Sequence, residues 1–534
     1  MKKISLIFPL LLLFIFQINL AQEKTKIKIE RAGFFEKDMI KYPDASVLTR
    51  DSKNQVLISH DGVLMSCNQA FFYEEKNFIE AYGDVVLKQG DTLDLEANFI
   101  EYNGDSRIIL AKGNVILNEP ESKLYTESLS FDRNKQEGYY TNNGKLIRNS
   151  TDTIISVIGT FYAEEKKYRF KKNVDLKTPK YEIYSDLLNY YTESGKSYFY
   201  GPTDIYTDDS KIYCEIGFYD TTNDNGYFIK NSEIDFEEYK INGDSIYFNK
   251  LTNYASATNN IKILDTINKT LTTGHYAEIY RKLDSMHIKK RALISSFKEK
   301  DTTHIHGESI IITGKEGEQI IRAFNNGKIL RNTLSGKCDS IHYDQVSGIA
   351  QLINNKNNLL KKSRKIKKPI LWNNKSQITG DSIHIKFDTE NNIIDSLYVF
   401  DNAFIIEKDT LDLGYNQISG KKLFGNFIEG KLKFIDIIKN AESVYYLRNS
   451  ENELIGIDKS KSAKINILIE QQEIETFTKI NQIDGKVFPE EDFNENDKFL
   501  KGFYFREDER IETLEDLFKE DLKYELIKIN QLQN

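Results

Sequence analysis

Few residues in this sequence have the type and spacing that metal binding or catalysis would need. His304 and His306 alternate along a predicted strand and could share one of its faces, which makes them the nearest approach to a metal-ligand pair. No third ligand follows at a recognisable spacing, so we expect both histidines to be structural or exposed to solvent. The sequence also lacks a phosphate loop, a dinucleotide glycine fingerprint, a nucleophile elbow and an HExxH motif. We therefore predict no metal site, no cofactor and no enzymatic activity.

A group of acidic residues resembles a set of catalytic carboxylates, but its members recur at regular intervals along the chain. Catalysis needs one constellation of side chains, whereas a turn residue is needed in every copy of a structural repeat. We interpret these acidic residues as structural residues at bends: Asp186, Asp244, Glu308 and Asp381.

The acidic residues belong to a repeat of about thirty residues. Each copy has an apolar first residue, a small third, a polar or acidic fourth, an apolar sixth and an aromatic or apolar eighth. The first ten copies follow one another at steps of 29 to 33 residues, and the last two steps are 42 and 40. The Asn- and Lys-rich insertion 354–368 accounts for the longer steps, and we expect it to be a solvated loop, with binding of phosphate or an acidic partner as the alternative. The copies begin at Met65, Leu95, Leu124, Ile154, Ile183, Ile212, Ile241, Thr272, Ile305, Gly336, Ile378 and Ile418.

The pattern within each copy predicts two strand segments joined at a bend, because the alternation of apolar residues changes parity at the small residue. Gly243, Gly307 and Gly380 are expected to supply backbone freedom at this bend. We interpret Gly83-Asp84 and Gly113-Asn114 as turn dipeptides. The expected fold is therefore an elongated all-β repeat array.

Composition limits the classes of protein to which this chain can belong. Its 534 residues carry a net charge of −8, which offers no general affinity for nucleic acid. Hydrophobic residues make up 40% of the chain and the mean hydropathy is −0.51, which argues against both a disordered chain and a multi-span membrane protein. Cys67, Cys214 and Cys338 occupy the small third position of their copies, where we expect them to be structural fillers too far apart for a disulfide.

The start of the chain predicts export from the cytoplasm. Lys2 and Lys3 precede an apolar stretch from Ile4 to Leu20, and Ala21 is the expected cleavage point of a signal peptide over residues 1–21. An uncleaved N-terminal anchor is the alternative. No cysteine follows the apolar stretch, so lipoprotein attachment is not indicated.

Residues 60–140 resemble a known family. The stretch HDGVLMSCNQAFFYEEKNFIEAYGDVVLKQGDTLDLEANFIEYNG, followed by IILAKGNVILNEPESKLYTESLSFD, closely resembles the OstA-like (organic solvent tolerance) family of lipopolysaccharide export proteins. GPTDIYT from Gly201 and CEIGFYDT from Cys214 look like the long exported version of that family. The resemblance implies a β-jellyroll or "β-taco" fold with an apolar groove that carries the acyl chains of lipopolysaccharide across the periplasm. It also implies end-to-end strand pairing with other lipopolysaccharide transport proteins, and a periplasmic location that can include association with the outer membrane.

The repeat and the resemblance together give a provisional division of the chain. After the signal peptide we expect strong repeats over 22–260, a continuation with insertions over 261–450, and a C-terminal segment over 451–534 with one short amphipathic helix at Thr513–Leu526. The candidate lipid-binding residues of the groove are Leu95, Ile100, Tyr102, Leu124, Leu129, Phe131, Ile183, Leu188 and Tyr190.

Three functions are open at this point. The first is a periplasmic lipid-binding bridge or chaperone for lipopolysaccharide. The second is a closed β-solenoid scaffold of the cell envelope with a packed interior and no lipid ligand, since core and groove share one alternating pattern. The third is a polysaccharide-binding or polysaccharide-degrading β-helix, which would need a single outer cluster of aromatic and acidic residues, whereas the sequence shows only repetition.

Overall fold

The computed structural model describes residues 25–90, 93–298, 301–315, 317–354, 368–373, 375–391, 393–409, 411, 414–470 and 473–529. The predicted signal peptide and nearly all of the basic insertion lie outside the described residues. Within those ranges no helix combines the length and apolarity needed to cross a membrane.

The chain divides into two compact units, the first ending at Asn173 and the second starting at Val174. The expected domain boundaries at 260 and 450 both lie inside the second unit, and they stay predictions. The first unit contains β1 (Lys28–Arg31), β2 (Phe34–Glu36), β3 (Ser46–Thr49), β4 (Val56–His60), β5 (Val63–Cys67), β6 (Gln69–Tyr73), β7 (Phe78–Gln89), β8 (Leu93–Asn103), β9 (Ile108–Asn118), β10 (Ser122–Asp132), β11 (Glu137–Tyr140), β12 (Gly144–Arg148), β13 (Asp152–Ser156), β14 (Ile158–Tyr162) and the start of β15 (Lys167–Lys177).

The second unit continues the same succession of antiparallel strands. Its strands are β16 (Tyr181–Tyr191), β17 (Lys196–Thr207), β18 (Ser210–Asp220), β19 (Asn225–Phe236), β20 (Tyr239–Asn249), β21 (Tyr254–Asp265), β22 (Thr270–Tyr280), β23 (Ser285–Lys298), β24 (Asp301–Thr313), β25 (Ile320–Arg331), β26 (Leu334–Asp344), β27 (Ile349–Ile353), β28 (Ile370–Asn373), β29 (Ser376–Thr379), β30 (Ser382–Asp388), β31 (Ile393–Lys408), β32 (Tyr415–Ile428), β33 (Lys431–Arg448), β34 (Leu454–Glu470), β35 (Glu473–Ile480) and β36 (Asp484–Phe488). The predicted all-β class and the repeat are confirmed, since one repeat is one antiparallel pair of long strands.

Each long strand is bent near its middle. In β8 the segment Leu93–Glu96 pairs with β9 up to Glu96, and pairing resumes at Phe99 after a register shift. In every long strand, we call the half that aligns with Leu93–Glu96 arm A and the half that aligns with Phe99–Asn103 arm B. The turns that join neighbouring arm A segments are A tips, and those that join arm B segments are B tips.

The bend comes from two adjacent residues with positive φ in most of the alternate strands, whereas β17 has Gly201 alone at its bend. Gly113 (φ 76°) and Asn114 (φ 50°) form this pair within β9. The predicted turn dipeptides Gly83-Asp84 and Gly113-Asn114 are therefore bends inside strands rather than turns between them. Asn and Asp tolerate the left-handed conformation better than most residues, which accounts for their frequency here. Pairs of this kind recur at 83–84, 172–173, 230–231, 259–260, 290–291, 325–326, 401–402, 439–440 and 481–482.

Two of the repeated acidic residues, Asp244 and Asp381, accept hydrogen bonds from the bend of the neighbouring strand. The Asn260 side chain donates to Asp244 at 3.0 Å and 3.1 Å, and Asn402 donates to Asp381 at 3.0 Å. An acidic residue opposite an asparagine with positive φ thus recurs because the bend recurs.

The expected backbone role of the three repeat glycines is wrong. Gly243, Gly307 and Gly380 are not among the residues with positive φ. At Gly380 the constraint is space, because an added Cβ would lie 2.2 Å from Cγ1 of Val399, whereas at Gly243 the nearest atom would be 3.4 Å away. The free cysteines Cys67, Cys214 and Cys338 are buried at equivalent small positions, and burial raises the pKa of the Cys67 and Cys214 thiols to about 12.

The basic insertion occupies a bend. β27 and β28 pair with the arm B and arm A parts of β26 respectively, so they are two halves of one strand. The insertion between Asn354 and Lys368 therefore falls at the position where other strands bend.

A C-terminal strap, residues 497–529, crosses the outer face of arm A in the second unit. The amphipathic helix expected at Thr513–Leu526 is absent: within those residues the structure has only a four-residue 3₁₀ turn, Glu515–Phe518. Further 3₁₀ turns lie at Arg281–Leu283, Glu490–Asp492, Glu495–Asp497 and Glu507–Glu509. Leu517 packs with Leu293 and Leu330, whose side chains lie on the opposite sheet face from the buried Ile294 and Ile329.

Amide side chains hold the strap backbone. Gln377 Nε2 donates to Tyr504 O at 2.8 Å while its Oε1 accepts from Arg506 N at 2.7 Å. Gln417 makes the same double contact with Lys498 and Leu500, and Asn259 makes it with Ile527. Each buried amide replaces the two hydrogen bonds that a neighbouring strand would supply.

The space at Gly380 gives a first prediction. Gly380→Ala should lower the free energy of unfolding by about 1–3 kcal/mol, because Val399 is packed on all sides and must move. Gly243→Ala, at the same repeat position in the same unit, should change it by less than about 0.5 kcal/mol. Urea unfolding midpoints measure both, and equal losses would show that the close approach at residue 380 is not what selects glycine.

The strap gives a second prediction. Gln377→Leu keeps the volume but leaves a buried backbone donor and acceptor unpaired, which costs about 1–3 kcal/mol and should make trypsin cut the strap at least about fivefold faster. Gln351→Leu, on arm B away from the strap, is the control. Peptide mass mapping after brief digestion would locate cleavage at Lys501 and Arg510, and unchanged cleavage rates would contradict the role of the amide.

Candidate functional site

All nine predicted groove residues face the interior of their unit. Leu95, Leu124 and Ile183 lie on arm A, while Ile100, Leu129, Leu188, Tyr102, Phe131 and Tyr190 lie on arm B. Their side chains are 0–2% exposed, so the interior around them is packed. Their role as lipid contacts stays a prediction, and lipid could reach them only if the two arms separate.

The outermost inward position of arm B forms a continuous row across the strands, which we call the rim row. In the first unit it runs through Tyr102, Ile109 and Phe131, which are paired in register from strand to strand. In the second unit it begins with Tyr190, Ser197, Tyr219 and Gly226. Large and small side chains alternate there, and all four residues are buried.

The rim row becomes half-buried in the middle of the second unit. From β20 to β26 every member is apolar or aromatic and only partly covered. Beyond it the row returns to fully buried residues at Ala350 and Ile385. This half-buried stretch runs through Phe248, Ala255, Ile279, Met286, Ile312, Ile321 and Tyr343.

The next inward position of arm B differs between the two parts of the second unit. In the early strands it holds Leu188, Phe199, Gly217 and Phe228. Behind the half-buried stretch it holds three alanines and four isoleucines, which are Ile246, Ala257, Ala277, Ile288, Ile310, Ala323 and Ile341. None of these residues is aromatic.

Contacts between A tips and B tips close the interior on the remaining side, and we call each of them a clasp. In the first unit the Arg107 guanidinium lies 2.7 Å from the Asp61 carboxylate. Arg133 donates to Gln89 at 3.2 Å and to the Tyr102 hydroxyl at 2.9 Å. Tyr102 Oη also lies 2.6 Å from Nδ1 of His60, so this predicted groove residue belongs to the closure.

The most buried clasp joins Tyr168 to Glu119. The tyrosine hydroxyl donates to the carboxylate at 2.7 Å, and its side chain is fully buried. Burial raises the pKa of Glu119, although hydrogen bonds from Ser122 and Tyr168 oppose that shift. Burial, together with the Glu119 charge, holds the pKa of Tyr168 well above its usual range. Both shifts are in the direction of the neutral form.

The clasps of the second unit differ in exposure. Lys250 lies 3.7 Å from Asp209, and the partners are 48% and 38% exposed. Arg281 and Glu237, 2.8 Å apart, form a second exposed ion pair. Surface ion pairs of this kind contribute little to stability, so these two contacts can open at low cost.

Two further clasps join buried side chains. The Tyr181 and Tyr219 rings lie 5.1 Å apart, and the Arg331 guanidinium lies over the Phe387 ring at 5.4 Å.

The histidine pair is structural in its contacts. His304 Nδ1 lies 2.8 Å from Ser295 Oγ, while the buried His306 contacts Ala292 O and the Asp521 carboxylate of the strap, both at 2.9 Å. Among the described residues no group of three or more His, Cys, Asp or Glu is placed to hold a metal ion.

The sequence pattern contained part of this site and missed the rest. Phe248 and Ile312 occupy the eighth position of their copies, so the template already included them in the interior. The template does not indicate how far either side chain is covered, and both are half-buried. The clasps lie in the tips, which the template does not include. The sequence signal that could have found them is a charged or polar residue at one tip, followed by a complementary residue about one and a half repeats later.

Comparison with known proteins finds a matching family for the first part of the chain. Residues 24–186 match the sequence profile of a family described as OstA-like protein, which confirms the resemblance seen in the sequence. The crystal structure of LptH from Pseudomonas aeruginosa, described as the LptA homologous periplasmic component of the conserved lipopolysaccharide transport device, is 13% identical, with a TM-score of 0.21, over 30% of this chain and 96% of that chain. Among curated proteins there was no match.

The Tyr168–Glu119 clasp predicts a pH dependence. Because the folded-state pKa of Glu119 is raised, the folded state holds its proton longer, and stability falls as pH rises from the unfolded pKa through the folded one. Glu119→Gln keeps an acceptor for Tyr168 without the charge, so it should be more stable than the parent at about pH 8 and nearly equal at about pH 4. Urea midpoints across that range test this, with the exposed Glu121→Gln as control; a parent and a Glu119→Gln variant with parallel pH profiles would disprove it.

Proposed function

We propose that this protein, which is OstA-like over residues 24–186, binds the acyl chains of lipopolysaccharide and carries them across the periplasm as part of a bridge towards the outer membrane. The predicted signal peptide supports export, and the family supports the transport role. The observation on which the lipid proposal rests is the half-buried apolar stretch of the rim row in the second unit.

That stretch has the properties an acyl chain requires. Burying one methylene group contributes ~0.8 kcal/mol, so a chain lying along several strands gains affinity without any single specific contact. Met286, Ile312 and Ile321 are neighbours in register on three successive strands, which makes the surface continuous in the direction across the strands. Many weak contacts allow a ligand to move on, as conduction requires. No catalytic step enters this proposal.

The unpaired outer strands support partners that bind by strand addition. β1 pairs with β4 and β2 with β3, while at the other end β35 and β36 each pair with β34. Phe34 and Phe35 on β2 are 67% and 60% exposed. Open strand edges bind extended segments of other proteins through main-chain hydrogen bonds. We assign these edges to end-to-end pairing with other lipopolysaccharide transport proteins.

The closed scaffold remains the second candidate because of one observation. The nine residues first assigned to the groove are 0–2% exposed, which is the packing of an ordinary core. If the interior never opens, the protein would be a β scaffold of the cell envelope without a lipid ligand.

Photocrosslinking at adjacent positions of β24 separates the two candidates. A benzophenone amino acid at Ile312 points into the interior, whereas the same group at Ile311 points to the outer face, where Ile311 pairs with His287 and Arg322. Both positions are partly exposed, so access to the probe is matched. In illuminated cells we expect a lipopolysaccharide adduct at Ile312 and none at Ile311, detected by immunoblotting. Folded, exported protein without an adduct at Ile312 would favour the scaffold.

A further inference from the structure

The first B tip of the chain, residues 37–45 between β2 and β3, differs from the later B tips of the first unit. β2 and β3 belong to arm B, since β3 pairs with β6 and β6 with the arm B half of β7. The first tip carries Met39 and Ile40, whose side chains are 64% and 95% exposed. The later tips have four residues each and are polar apart from one alanine: they are 74–77, 104–107, 133–136 and 163–166.

Hydrogen bonds fix the shape of the exposed part of this tip, residues 38–41, which we call the apex. The Asp38 carboxylate accepts from the backbone N–H groups of Ile40 and Lys41, both at 2.9 Å. Tyr42 N donates to Asp38 O at 2.8 Å, and the Tyr42 ring packs edge-on against Phe71 with the ring centres 5.3 Å apart. These contacts hold the apolar side chains of the apex away from the protein's own core. Exposed apolar side chains held in this way indicate contact with another molecule.

The stretch of chain that leads to the apex is basic. Lys37 and Lys41 flank the apolar side chains, and both are exposed. From Lys26 to Lys41 the chain has five basic and three acidic residues, whereas the whole protein carries a net charge of −8. One of the three acidic residues, Asp38, has its carboxylate bound to the backbone of the turn. This stretch therefore favours an anionic partner.

We propose that the apex inserts into the interfacial region of an anionic lipid bilayer and so docks the first unit on a membrane. Acyl chains are fluid and can close around apolar side chains on a protruding turn, whereas a protein partner would need a preformed pocket for each of them. The stems of Lys37 and Lys41 can lie along the inserted turn while their ammonium groups reach the headgroups, and tyrosine rings such as Tyr42 are enriched at this depth. The contact requires neither lipid in the interior of the second unit nor strand addition at β2.

A fluorescent probe at the apex tests this insertion. In the full-length protein Met39→Cys can be labelled with the environment-sensitive nitrobenzoxadiazole group, because the native cysteines are buried and the parent protein serves as the labelling blank. Ile455→Cys is the matched control, since Ile455 is also 64% exposed but lies beside Glu451 and Glu453. Both side chains project into solvent, so both variants should fold, and circular dichroism checks this.

We expect the two probes to respond differently to vesicles of phosphatidylglycerol and phosphatidylethanolamine. The Met39→Cys probe should emit at shorter wavelength and be quenched by a spin label on the acyl chains, while the Ile455→Cys probe does neither. Vesicles of phosphatidylcholine alone should need about tenfold more lipid for the same signal, because they lack anionic headgroups for the lysines. Adding Ile40→Asp to the Met39→Cys protein should raise the lipid required by at least about tenfold, since an apolar insertion is lost and a charge must stay in water.

Three other results would overturn this docking surface. An unchanged Met39→Cys probe with anionic vesicles would exclude insertion of the apex, and equal responses of the two probes would indicate non-specific adsorption. A response that grows with protein concentration in the absence of vesicles would assign the apex to an interface between copies of the chain. The photocrosslink expected at Ile312 does not depend on any of these results, so the docking surface and the proposed lipid binding are tested separately.

Discussion

The bend in every long strand is the constraint on which the rest of the structure depends. A non-glycine residue in the left-handed conformation costs roughly 1–2 kcal/mol, and pairs such as Lys290-Arg291 accept that cost in successive repeats. The compensation is that both arms of each strand can turn an apolar face to one interior. A strand without the shift in register would place one of its arms with the polar face inward.

Bending also brings the A tips close to the B tips, and we call the line along which they meet the seam. The clasps of the seam are independent of the hydrogen bonds of the sheet. The residues that close one section of the seam can therefore differ without any change in the strands behind them. In the first unit the seam includes the buried Tyr168–Glu119 pair, whereas exposed pairs such as Arg281–Glu237 close parts of the second. The closure of the interior can therefore differ from one section to the next over a sheet that stays the same.

The sequence predicted the interior well because apolar and polar residues alternate along a strand, and the apolar ones are those whose side chains face inward. Leu124, Leu129 and Phe131 are buried as expected. The helix at the C-terminus failed because the apolar spacing of Leu514, Leu517 and Phe518 serves a strap crossing a sheet, and Leu517 alone of these is fully buried. That strap had a signal in the sequence: runs such as ALIS at 292–295 and AFII at 403–406 are apolar on both faces, and both faces are covered. Gly380 showed that a small residue at a bend can be selected by a neighbour rather than by φ.

Alternation alone cannot distinguish a packed core from a conduit, since both need one apolar face in every strand. The difference lies in how completely the side chains fill the space between the arms. Phe131 and Ile312 occupy the same repeat position, yet Phe131 is fully buried and Ile312 is half-buried. The repeat pattern fixes which position faces inward, but it does not fix how closely the neighbouring strands and tips cover that position. The apolar residues that every copy shares therefore define the interior, whereas the differences between copies decide which part of it is exposed.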